Sequence, residues 1–218
     1  QVKKEESEEI LPPVEIWNPA VSFKGKTAAL WAHLSGKAPF FKAEEVVAAA
    51  DGHAWLVEAD NFGPAAKALK EAEAVVVEDS KSLLESGFPA EDLPFFDMSL
   101  AAYLLDPTRV TYPLSYMAGL FEKPVIYPDD LDDMKEKGCC ITLFLASLYE
   151  DAKKKLEENG VLSLFRKVEQ PLVPVLAAME KAGIATDQEK WKAVKEEMEK
   201  EERLLMKEDR KSTRLNSS

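Results

Sequence analysis

Acidic residues are missing from one long interval of this sequence: none occurs between Glu15 and Glu44. Cysteine is nearly absent, with Cys139 and Cys140 as the only two. Neighbouring cysteines close a strained ring when they pair, and two thiolates alone make a poor zinc site, so a disulfide scaffold and a structural zinc site both drop out. Both read as reduced, helix-buried small residues. No stretch approaches the roughly 20 apolar residues that span a bilayer. The opening QVKKEESEEI lacks the apolar centre of a secretory signal. Cations are in deficit too, with 28 Lys and Arg against 40 Asp and Glu and a net charge of −12. Affinity for nucleic acid normally comes from clustered cations that neutralise phosphates. A cytoplasmic monomer with weak or no DNA binding of its own is therefore expected.

The chain has 218 residues, 46% of them hydrophobic, enough for one compact domain with an appendage. Residues 1–13 are charged, lack aromatics and end in Pro12-Pro13, so they read as a linker. Lys26–Gly36 has the apolar content of a buried strand, and Lys42–Ala50 looks like a short helix stopped by Asp51-Gly52. His53–Ala59 reads as a second strand spaced to pair with the first. A helix follows from Gly63-Pro64 to Lys70, and Ala74–Asp79 is too β-branched to prefer a helix. Ser80–Gly87 is a short helix, and a strand end at Phe95-Phe96 leads into a helix that runs to Leu105. Proline makes residues 108–135 irregular, with one helical turn within Tyr112–Leu120. Cys139–Gly160 is a long amphipathic helix with Ile141, Phe144, Leu145, Leu148, Ala152 and Leu156 on one face. Alternating strands and helices indicate an α/β layered domain, residues 14–160, and no internal repeat interrupts it. Residues 161–210 are helical on both sides of Pro171, with Asp187 placed to cap a last helix from Gln188.

Two segments carry a family likeness. Phe96-Asp97-Met98-Ser99-Leu100-Ala101-Ala102-Tyr103-Leu104-Leu105-Asp106-Pro107 resembles the "FDTxLAAYLLDP" segment of the exonuclease-type domain in bacterial family A DNA polymerases. Leu164 to Asp187 resembles the helix that leads from that domain into the polymerase, patterned "LxxxVExPLxxVLxxMExxGIxxD". The resemblance implies a ribonuclease H-like fold: a mixed sheet flanked by helices and followed by a helical extension that starts the polymerase domain. It also implies a 5′-nuclease domain upstream of Gln1 and the palm, fingers and thumb downstream. Mg2+ is expected in that missing polymerase domain and no cofactor in this fragment. DNA is the expected partner, through the missing domains. Residues 211–218, within KSTRLNSS, fit no polymerase pattern and read as a non-native tail.

Proofreading by such domains is a two-metal hydrolysis, in which carboxylates hold two divalent ions about 3.5–4 Å apart. Hard cations require oxygen ligands, so Ala, Gly and Trp cannot substitute. The family pattern places Asp-x-Glu on the first strand, Asp at the "FD" helix and Tyr-x-x-x-Asp on the late helix. Here the first strand reads Leu30-Trp31-Ala32-His33-Leu34, inside the acid-free interval. Aligning Ile141-Thr142-Leu143 with the family's "VTL" puts Met134 at the tyrosine and Gly138 at the aspartate. Only Asp97 matches, so no catalytic, cofactor-binding or metal-binding residue is expected.

Asp97 reads as a helix cap, with residual metal binding as the alternative. His33 stands alone on a strand and reads as structural rather than as a ligand. Glu78 and Asp79 end the third strand near where the carboxyl edge of the sheet should lie, a place from which carboxylates could rebuild a site. Asp129, Asp130, Asp132 and Asp133 read as a solvated loop or a weak cation site. Three functions follow: an inactive domain that scaffolds a polymerase, an exonuclease with displaced carboxylates, or an acidic interaction module. Trp31 or Leu34 is expected to fill the volume that metal and substrate occupy in active relatives.

Overall fold

A computed structural model describes residues 11–126 and 128–215. Six strands form one sheet in the order β1-β4-β3-β2-β5-β6, with β1 at Val14–Ile16, β2 at Thr27–Lys37, β3 at Phe40–Ala50, β4 at His53–Val57, β5 at Ala74–Val77 and β6 at Phe95–Asp97. β2, β3 and β4 make an antiparallel meander, while β5 and β6 join β2 in parallel, and β1 runs parallel to β4. Helices α1 (Phe62–Leu69) and α2 (Ser80–Glu85) cover one face. The other face receives α3 (Met98–Leu105), α4 (Leu114–Leu120) and the 25-residue α5 (Met134–Glu158).

Strand alternation builds both cores at once. Ala28 and Leu30 of β2 and Val46, Ala48 and Ala50 of β3 pack with Ala65, Leu69, Leu83 and Phe88. Their neighbours Ala29 and Trp31 turn to the opposite side, towards Met98, Ile141, Phe144 and Leu145. Val47 and Ala49 meet Cys139 there, a buried free thiol. Full burial of a Leu such as Leu145 or Leu148 stabilises by about 1.5–3 kcal/mol.

The stretch expected to be helical at Lys42–Ala50 is the central strand β3, and this changes the pairing. β4 therefore pairs with β3 and β1, not with the first long strand. A hairpin joins β2 to β3, and Gly36 there has φ +91, where a Cβ would lie 2.8 Å from the Phe40 carbonyl oxygen. Only glycine fits that turn without backbone movement. A bulge between His33 and Leu34 shifts the register at the outer half of the hairpin.

α5 begins five residues before the expected Cys139, because Asp133 caps it by accepting from Lys135 N–H at 2.7 Å. Gly160, at φ +71, turns the chain out of it, and Val161 N–H closes on Leu156 C=O at 2.9 Å. A further helical run comprises α6 (Leu162–Leu164), a π-helical turn over Phe165–Glu169, and α7 (Gln170–Ala182). Pro171 and Pro174 bring no N–H to the carbonyls one turn earlier, and the wider π turn sits just ahead of them. Val168, Leu172, Val175, Leu176 and Met179 of this run remain exposed.

The chain divides into a compact unit that ends at Lys181 and a second unit from Ala182. The second is the helix α8 (Gln188–Leu215), capped by Asp187, whose carboxylate accepts from the N–H groups of Glu189 and Lys190 at 3.1 Å each. Helix continues through residues 211–215, while 216–218 of the expected tail and 1–10 of the expected linker lie outside the described residues.

Candidate functional site at the carboxyl end of the sheet

β2, β5 and β6 run parallel, and their carboxyl ends bring the remaining acidic candidates together. Val77 of β5 lies beside Asp97 of β6, and β2 outruns β5, so Trp31 to Leu34 project past the end of β5 at Val77. Leu30, Trp31, Ala32, Leu34 and Val77 line a cleft of about 240 Å³ with Glu78, Asp79 and residues of α2. Asp97 is not in its wall.

Asp97 is 3% exposed. Its Oδ2 accepts from the Ser80 N–H and the Ser80 hydroxyl, both at 2.7 Å. Its Oδ1 accepts from Leu100 N–H at 2.9 Å and so caps α3. One carboxylate thus ties the starts of two helices. Gln170 completes the knot: its Oε1 accepts from Asp97 N–H at 3.0 Å and its Nε2 donates to Ser80 Oγ at 3.3 Å. Burial pushes the Asp97 carboxyl up to about 6, against the bonds from Ser80 and Leu100 that favour its charge. Its oxygens already face protein donors, which leaves poor geometry for a hard cation.

Asp79 is likewise a cap. It accepts from Lys81 N–H at 2.9 Å, Ser82 N–H at 3.3 Å and the Ser82 hydroxyl at 2.6 Å. Burial raises the pKa of Glu78, and the nearby charges of Asp79 and Asp97 raise it further. Three carboxyl groups therefore gather here, and the electrostatics disfavour charging them together. Among the described residues, no group of three His, Cys, Asp or Glu side chains is placed to hold a metal ion.

The opposite wall is closed by a direct fit between strand and helix. A Cβ built on Gly138 of α5 would lie 2.7 Å from Trp31 Cε3, 2.8 Å from Trp31 Cζ3 and 2.7 Å from Val47 Cγ2. The indole thus occupies the space in which any side chain at position 138 would start. Trp31 packs on α5 at this wall, while the adjoining cleft stays open. The filling expected of the whole site is therefore partial.

The other candidates are dispersed. His33 is half-buried, pairs across the hairpin with Glu45 and lies beside Trp31, ring centroids 6.4 Å apart. Asp133 caps α5, and Asp129 forms an ion pair with Lys137. Asp130 closes the 3-10 turn Pro128–Asp130, and Asp132 follows in the exposed stretch before α5. Ser80 and Gln170 were not singled out by sequence, because a serine after an acidic pair and a glutamine before a proline carry no distinctive pattern.

No protein-family profile matches the chain. DNA polymerase I from Treponema pallidum is 36% identical over 104 residues, 41% of this chain and 10% of the relative. In sequence, the chain is a relative of bacterial DNA polymerase I. DNA polymerase I of Caldicellulosiruptor bescii is 29% identical over 93 residues, 43% of this chain. The chain spans about a tenth of the length of these two polymerases. Solved structures agree on the fold. The POL domain of Pol1 from M. smegmatis, in complex with DNA primer-template and dNTP, superimposes with a TM-score of 0.65 at 20% identity, over 75% of this chain and 30% of that one. Brucella melitensis NrnC with bound Mg2+ gives 0.63 at 16% identity, over 78% of this chain and 92% of its own. The fold is the ribonuclease H-like, 3′–5′ exonuclease-type mixed sheet flanked by helices.

Proposed function

We propose that the chain serves as the exonuclease-type domain of a DNA polymerase I that has given up nuclease chemistry and acts as a scaffold for the polymerase. The contact of Trp31 on Gly138 carries this reading, because it leaves no room for a side chain where the family pattern has its late-helix aspartate. Asp97 supports it from the other side, with both oxygens engaged as helix caps. A two-metal hydrolysis needs carboxylates that present free lone pairs to both ions. The net charge of −12 favours DNA contact through other domains of such a polymerase rather than through this one.

The cleft beside Glu78 and Asp79 is the one observation that favours the alternative, hydrolysis by displaced carboxylates. End-labelled single-stranded DNA separates the two readings. The protein and its Asp97→Ala and Glu78→Gln variants are incubated with Mg2+ or Mn2+, at a temperature at which circular dichroism shows each folded. The expected result is no metal-dependent release of mononucleotides above the variants. Release that needs the metal and vanishes in either variant would overturn the scaffold reading.

A further inference from the structure

α7 docks on α2 through a set of acidic and basic groups that the site above does not use. Lys81 Nζ donates to Glu180 Oε1 at 2.8 Å, and Lys181 Nζ donates to the Leu84 carbonyl at 2.8 Å. Between them Glu85, the last residue of α2, is 2% exposed, and neither of its side-chain oxygens has a hydrogen-bond donor. A buried carboxylate without a donor is costly, and one at a helix carboxyl terminus also faces the wrong end of the helix dipole. A buried neutral carboxyl group has an O–H to give, and Lys81, one helical turn before Glu85 on the same helix, holds the Glu180 carboxylate at 2.8 Å on that face.

We propose that Glu85 and Glu180 form a proton-sharing clasp, in which protonated Glu85 donates to the Glu180 carboxylate and holds α7 on the domain. Uptake of one proton tightens the helix, and its loss places two negative charges against each other and loosens it. Lys81 offsets this only in part, because its ammonium is directed at Glu180 while its charge acts on Glu85 from further off. The remaining charged groups around Glu85 are accounted for by element. α2 itself adds Asp79, and α7 adds Lys181, which is committed to a carbonyl. On the strands packed against α2, Lys42 and Glu44 of β3 pair with each other at 3.1 Å, Glu45 lies opposite His33, and Asp97 of β6 is held by Ser80. Burial first and Glu180 second raise the Glu85 pKa, while Lys81 holds that of Glu180 down, the directions that a donor and its acceptor require.

Since Glu85 titrates upward from the ordinary glutamate value, the clasp is closed at low pH and opens as pH rises through the raised value. Amide exchange of α7 in the full chain, corrected for intrinsic rates, reads this directly. Protection in Val175–Lys181 should fall by several-fold, up to about tenfold, between about pH 5 and pH 8. Glu85→Gln supplies a permanent donor of the same shape, so its α7 protection should not change with pH. Asp97→Asn removes the other buried carboxyl and should leave the α7 pH dependence in place. Carbon-detected NMR of the Glu85 carboxyl in the unmodified protein gives a second test that needs no variant. A flat wild-type profile, an unchanged slope in Glu85→Gln, or a Glu85 carboxyl that titrates at the ordinary glutamate value would each overturn the clasp.

Discussion

Asp97→Asn is the substitution that most sharply separates a helix cap from a vestigial metal ligand. In the folded protein burial lifts this carboxyl from 3.8 to about 6. A folded pKa above the unfolded one contributes stability that is complete at low pH and is lost as pH rises through the folded value. The gap, at about 1.4 kcal/mol per pH unit, amounts to roughly 3 kcal/mol lost between about pH 4 and pH 6. Asparagine does not titrate, so the variant escapes this loss. It carries a fixed defect instead: one face of the amide is a donor, and either Ser80 N–H or Leu100 N–H meets it and stays unsatisfied. That defect costs about 1–3 kcal/mol. Urea unfolding in the absence of divalent ions should show the variant less stable at about pH 4 and level with or above the parent at about pH 7. Only the change in the difference matters, since carboxyl groups remote from Asp97 titrate equally in both proteins, while Glu78, relieved of the Asp97 charge, ionises more readily in the variant and adds to the gain at higher pH. A difference that stays constant, or one that grows against the variant as pH rises, would refute a buried cap and point to a carboxylate whose charge is wanted.

Gly138→Ala should destabilise by about 1–3 kcal/mol, because its methyl meets the Trp31 ring and Val47. Denaturant melts of this variant with and without Trp31→Leu should show a coupling between the two positions, and a neutral Gly138→Ala would remove the close fit. In α8, Trp191, Met198 and Leu205 are 64%, 66% and 66% exposed, so amide exchange after about Glu197 should be fast while α5, with Leu145 and Leu148 fully buried, exchanges slowly. Equal protection in the two helices would show that α8 has found a partner surface.

Much of the fold could be read from local pattern. The four buried residues of β5 are three valines and an alanine, and α5 shows its core stripe every three to four residues. β3 could not be read this way. FFKAEEVVAAA is rich in alanine and glutamate, residues that favour helix, and its last five residues are buried on both faces, which erases the alternation that marks a strand. Sheet pairing on both sides and the close approach of α5 override that propensity. At the site, the capping role of Asp97 was legible from its place just ahead of a helix. Its second attachment, to Ser80 and Gln170, was not, because it joins positions 17 and 73 residues apart. The burial of Glu85 was hidden as well, since an acidic residue on a short helix reads as solvated until its surroundings are known.

The seating of Trp31 on Gly138 also works as a ratchet on sequence change. An aspartate cannot be seated at position 138 while the indole is there, and shrinking the indole first opens a void against Val47 and α5. Neither single step is tolerated at full stability. A carboxylate at position 138 therefore requires coordinated replacement on a strand and a helix more than a hundred residues apart.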